Sequence, residues 1–151
     1  MAKKSNNCFN TLDKDITHWM QVHGVSFLQY SLAMVFIWFG LLKPLGLSPA
    51  QGLVANTVYW FDPSWFVPFL GWWEVLIGVC FLFRPLIRLG IGLMALQMAG
   101  TLLPLVLLPE VVYGPVFGWT LTLEGQYIVK NVVLIAAAIV VGSHVRDKVK
   151  K

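Results

Sequence analysis

Residues 89–108 read LGIGLMALQMAGTLLPLVLL, a run without a single charge. A helix rises about 1.5 Å per residue, so about 20 apolar residues cross the roughly 30 Å hydrocarbon core of a bilayer. Three other stretches meet the same requirement: residues 25–42, 64–83 and about 124–142. The first is uncharged until Lys43, the second carries Glu74, and the fourth carries Lys130 near its start. Composition agrees with a membrane setting. Hydrophobic residues make up 58% and charged residues 12% of the 151-residue chain, against roughly 45–50% and about 25% in an ordinary soluble domain. A 17 kDa globule burying so much apolar surface would have too little polar surface left to face water. The expected fold is all-α: a four-transmembrane-helix bundle over residues 25–142, in contact with the lipid bilayer.

The positive charges orient the four spans. With the N-terminus in the cytoplasm, the inner segments hold Lys3, Lys4, Lys14, Arg84, Arg88, Arg146, Lys148, Lys150 and Lys151, while the outer side keeps Lys43 and Lys130. Nine against two places both termini inside, by the excess of Lys and Arg in cytoplasmic segments. Because the basic residues flank apolar runs instead of lining one exposed face, the net charge of +4 points to membrane topology and not to nucleic acid.

Residues 1–24 are polar, contain Asp13 and Asp15, and lack a small-residue cleavage site, so they do not read as a secretory signal. Leu12, Ile16, Trp19, Met20 and His23 recur at helical spacing. The expected element is a short amphipathic interfacial helix on the inner leaflet, with Trp19 at headgroup depth. Residues 143–151 form a basic cytoplasmic tail. The two outer loops are rich in Pro, Gly and aromatics, and Trp60, Phe61, Trp65, Tyr113, Phe117 and Trp119 suggest an aromatic belt. Asp62-Pro63 forms an N-cap and first-turn start for the second span, and Pro68 is a candidate kink.

Ionisable groups inside a bilayer are expensive and usually face the protein interior, paired. Gly71 and Gly78 fall on nearly the same helical face as Glu74, and small residues mark close helix approach, so Glu74 should point into the bundle. Lys43 shares a face with Ala33, Phe36 and Gly40, and Gln97 shares one with Gly100 and Pro104. In the fourth span, Glu124, Tyr127 and Asn131 form one stripe, with Gln126 and Lys130 on the other side. Lys130 is then expected to snorkel to the outer interface. Six residues from Glu124, Lys130 is no stacking neighbour of it, so Lys43 is the expected partner of Glu124. Polar groups from four helices thus converge on the outer half of the bundle. Three readings stand: a structural lock, a pocket for a small ligand whose aromatic lining is Trp38, Phe39, Trp72 and Trp73, or a proton or ion path.

Three stretches, YSLAMVFIWFGLLK, GWWEVLIGVCFLF and LEGQYIVKNVVLIAAAIV, resemble the DoxX-like family of small bacterial integral membrane proteins, in order and spacing. The resemblance covers roughly residues 25–142. It implies a four-helix bundle in the bacterial inner membrane, in a family named for a subunit linked to quinone-coupled sulfur oxidation and with relatives tied to redox stress. The family's recurrent polar positions correspond to Lys43, Glu74, Glu124, Gln126, Lys130 and Asn131. The paired cysteines that some redox-active relatives carry near the outer face have no counterpart here; Cys8 and Cys80 form no CxxC.

The readings of function divide into three classes. First comes an accessory or scaffold subunit of a membrane assembly, redox or other, which would have a membrane-protein partner or homo-oligomerise. Second comes a quinone- or small-lipid-binding oxidoreductase subunit, and third a small transporter, for which four helices leave little room. No cofactor is evident from the residues themselves; a quinone is the one the second class would bring. Haem needs axial ligands facing each other across a core, whereas His18, His23 and His144 lie at or beyond the inner boundary. No dinucleotide fingerprint, phosphate loop, metal-ligand cluster or Ser-His-Asp arrangement occurs, so no catalytic residue is assigned.

Overall fold

The computed structural model describes residues 2–116 and 120–146, with side chains from residue 10 onward. Eight α-helices follow in order: α1 (Ala2–Leu42), α2 (Gln51–Thr57), α3 (Pro63–Leu82), α4 (Ile87–Thr101), α5 (Pro104–Leu107), α6 (Pro109–Val112), α7 (Leu123–Val129) and α8 (Asn131–Ser143). A 3-10 turn, Arg84–Leu86, leads from α3 into α4. Four helical segments are long and apolar enough to cross a membrane: Asn10–Leu42, Pro63–Leu82, Arg84–Leu107 and Leu123–Ser143. Within their apolar windows only 22–33% of residues are buried inside the protein. Many of the others, including Phe27, Met34, Leu76, Leu89 and Ile139, are exposed on the outside of the protein. Water would penalise that surface and lipid does not. The chain is an all-α, multi-pass membrane protein.

The spanning helices close a ring in which α1 packs on α3, α3 on α4, α4 on α8, and α8 on α1. The half nearer the chain termini is filled by Leu32, Ala33, Ile77, Phe81, Met94, Ala138 and Val141, with Phe36 and Phe81 stacked at 6.4 Å. Buried Gln29 donates its amide to the Phe81 carbonyl at 2.7 Å, which gives its nitrogen a partner in the apolar interior. Since lipid tails are as apolar as leucine, helices in a membrane associate by close fit. Here glycine provides it. A Cβ added to Gly40 would sit 2.7 Å from the Gly71 carbonyl oxygen, and one on Gly78 would sit 2.8 Å from that of Ala33.

Local chemistry sets the ends of these elements. Asp62 caps α3 by accepting the Ser64 N–H at 2.9 Å, a bond that holds its carboxyl below the usual carboxylate range. Pro63 occupies the first turn, where its missing N–H is not needed, and α3 runs on through Pro68. At the other loop end α1 stops before Pro44. Gly46, at φ +70°, takes the left-handed conformation that favours glycine, and the Leu47 N–H closes on the Leu42 carbonyl at 2.9 Å.

One element differs from expectation. The N-terminal amphipathic stretch is helical, but it is not separate: α1 is continuous from Ala2 to Leu42. Gly24, the residue best placed to break it, meets nothing within 4 Å, so neither strain nor a contact ends the helix there. Leu12, Ile16, Trp19 and Met20 are all exposed along it. Of the expected aromatic belt, Trp60, Phe61 and Trp65 are exposed and Tyr113 half-buried. Phe117, Trp119, Lys148, Lys150 and Lys151 lie outside the described residues, as do the side chains of Lys3, Lys4 and Cys8.

Candidate functional site

The polar residues gather in the half of the bundle farther from the termini. Lys43, the first residue beyond α1, turns inward and is 8% exposed. It forms an ion pair with Glu74 of α3 through Oε2. Glu74's other oxygen, Oε1, accepts a hydrogen bond from Gln97 Nε2 of α4 at 2.5 Å. Both carboxylate oxygens are therefore satisfied, from two different helices, and three spans are tied at one point. Gln97 Oε1 is buried and accepts no hydrogen bond among the described residues. The node exists because the backbones meet beneath it. A Cβ on Gly71 would lie 2.6 Å from the Gly40 carbonyl oxygen and 2.8 Å from Lys43 Cβ.

Beside this node lies a cavity of about 730 Å³. Phe36 and Phe39 of α1, Phe66, Phe69 and Trp73 of α3, and Leu134 of α8 are part of its apolar wall. Leu53, Val54 and Thr57 of α2 line it from the loop side. Its polar lining comes from Lys43, Glu74 and Gln97, together with Thr101, Tyr127, Lys130 and Asn131. The hydroxyls of Thr57 and Thr101 donate to their own helices, to the Leu53 and Met98 carbonyls at 2.6 and 3.1 Å. An aromatic series reaches the wall from the preceding loop: Phe61 stacks on Phe66 at 4.8 Å, and Phe66 leads through Phe69 to Trp73 at 6.3 and 6.1 Å.

The fourth span is built in two pieces. Thr122 caps α7 by accepting the Gly125 N–H at 3.2 Å, while its hydroxyl donates to the Val111 carbonyl at 2.6 Å. Gly125 packs directly on the Val112 carbonyl. The helix pauses at Lys130, which ends α7 and precedes α8. Lys130 Nζ lies over the Tyr127 ring at 4.0 Å and the Phe39 ring at 5.2 Å, a cation–π arrangement.

The structure thus brings Lys43, Glu74, Gln97, Tyr127, Lys130 and Asn131 to one cavity, and it corrects several expectations. Lys43 pairs with Glu74, not Glu124. Glu124 is exposed and lines no part of the cavity, because the packing of Gly125 on Val112 turns the inner side of that turn away from it. Gln126 is also exposed, and its side-chain amide donates to the Leu121 carbonyl at 3.4 Å. Lys130 lies on the cavity wall instead of opposite Tyr127, since three residues separate the two and the long stem spans the remaining angle. Among the aromatics, Phe39 and Trp73 line the cavity, whereas Trp38 and Trp72 face outward at 65% and 57% exposure. Phe36 was expected on the inward face with Lys43 but not as cavity lining, and Phe66 and Phe69 were not anticipated, since they lie in generic apolar sequence.

Comparison with family models, curated proteins and solved structures finds no match to this chain.

Proposed function

We infer that this membrane protein binds a small lipophilic molecule with an oxygen-bearing head, of the quinone type, in the cavity beside the Lys43–Glu74–Gln97 node. One observation carries the reading: a largely apolar, aromatic-walled space of about 730 Å³ whose lining includes the Lys43–Glu74–Gln97 node together with Tyr127, Lys130 and Asn131. Small-molecule sites are commonly clefts of about 300–1,000 Å³, mostly apolar, with a few placed polar groups that fix orientation. In this reading a ring packs against Phe39, Phe69 and Trp73, and its carbonyl or hydroxyl bonds one of the polar groups of the lining. The DoxX-like resemblance supports the same reading, since that family's name comes from quinone-coupled chemistry. In this reading the protein serves a redox assembly of the bacterial inner membrane as its lipophile-binding subunit.

Purification in a mild detergent, followed by mass spectrometry of bound lipids and proteins, tests it. A quinone-like molecule near one per chain is the expected result. A tightly held larger complex with no such molecule would favour an accessory or scaffold subunit instead.

The charge distribution supports cytoplasmic termini, which places the cavity in the outer half of the membrane. A reporter active only outside the inner membrane should stay silent when fused after Lys151 and give signal when inserted at Gly52. The opposite pattern would put the cavity on the cytoplasmic side.

A further inference from the structure

Two cations and one carboxylate line the cavity: Lys43, Lys130 and Glu74. Lys43 and Glu74 neutralise one another. Lys130 is left over, and among the described residues no carboxylate lies within ion-pair distance of it. Asp62, Glu110 and Glu124, the other acidic residues at this end of the bundle, are exposed and form no ion pair with it. Lys130 does not escape the site either, because its Nζ rests on the Tyr127 and Phe39 rings at the cavity wall. Ring faces attract a cation, yet they carry no charge that would cancel it. The next residue, Asn131, also lines the cavity, and no hydrogen bond of its amide occurs among the described residues.

Lys130 is exposed on the open side of the cavity, and a lone positive charge held there against apolar rings favours an anion beside it, since at the surface of a membrane bundle the attraction is screened less than in bulk water. We propose that the site selects acidic amphiphiles: the ligand's anionic oxygen sits on Lys130, with Asn131 beside it, and its apolar body lies against Phe66, Phe69 and Trp73. The proposal rests on the lipophile-binding reading and adds the charge of the head to it. Lys43 contributes orientation only, because its charge is already spent on Glu74.

A matched pair of probes tests this with the full-length protein in a neutral detergent: an alkyl hydroxynaphthoquinone and its methyl ether. Both carry the same ring and tail, but only the hydroxy compound is ionised at neutral pH, as a vinylogous carboxylic acid. Calorimetric titration should show the acid binding at least about tenfold tighter, as one charge-assisted hydrogen bond provides. Lys130→Met should bring the acid down to the affinity of the ether and leave the ether unchanged, and Lys130→Arg should keep the preference. Equal binding of the two probes to the unaltered protein, or a preference retained in Lys130→Met, overturns the proposal. Binding of neither probe would overturn the lipophile reading as well, so the two failures are told apart.

Discussion

Glu74→Leu should destabilise the protein in detergent by about 3–5 kcal/mol, the usual penalty for leaving a buried charge without its partner. The loss has two parts. Lys43 is 9% exposed at its side chain and would keep its charge in an apolar surrounding, and Gln97 would lose the acceptor for its Nε2. Lys43→Met should cost a comparable amount, since Glu74 then retains the Gln97 hydrogen bond but no cation. The double change Lys43→Met with Glu74→Leu should recover most of the loss, because an apolar pair of similar volume avoids desolvation altogether. Thermal unfolding of the four proteins side by side measures the coupling. Additive losses in the double mutant would show that the two side chains do not act as a pair.

Gly71→Leu is expected to be at least as damaging, for a steric reason. The added Cβ alone would stand 2.6 Å from the Gly40 carbonyl oxygen and 2.6 Å from Pro44 Cδ. Neither a backbone atom nor a proline ring can swing aside. Overpacking of this kind costs about 1–3 kcal/mol where neighbours can shift; here the shift must separate α1 from α3. That separation also draws Lys43 off Glu74, so the loss of the ion pair adds to the clash. Gly92→Leu is the control, because a Cβ at that position on α4 meets nothing within 4 Å. Equal unfolding midpoints for the two variants would mean that close approach at Gly71 does not hold the bundle together.

The span positions were readable from the sequence because hydrocarbon thickness turns into a residue count. The inward faces of Glu74 and Lys43 were readable because glycine and charge recur at helical spacing. Partner choice was not. Angular position on a helix gives direction but not depth, and depth decides that Lys43, level with Gly71, meets Glu74. Reckoning around the fourth span assumed one unbroken helix, whereas its first turns are set by Thr122 and Gly125 and it pauses at Lys130. The aromatic pairs show the same limit from another side. Adjacent helical residues point about 100° apart, and of Trp38–Phe39 and Trp72–Trp73 only the second member of each pair lines the cavity. In each pair one faces in and the other faces out.

The unbroken first helix also bears on how the protein sits in a bilayer. Its apolar-compatible segment, Asn10–Leu42, has 33 residues, or about 50 Å of helix. The other three have 20, 24 and 21 residues, about 30–36 Å, close to the roughly 30 Å of hydrocarbon. Even at a tilt of about 40°, the upper end for membrane helices, the first helix would still span about 38 Å. It therefore cannot be sunk whole, and its early turns, with Asp13, Lys14 and Asp15, must stand clear of the oily layer on the side of the termini. The vertical setting of the molecule is dictated by its three shorter helices, and the longest one protrudes as a fixed post whose height above the bilayer is the difference.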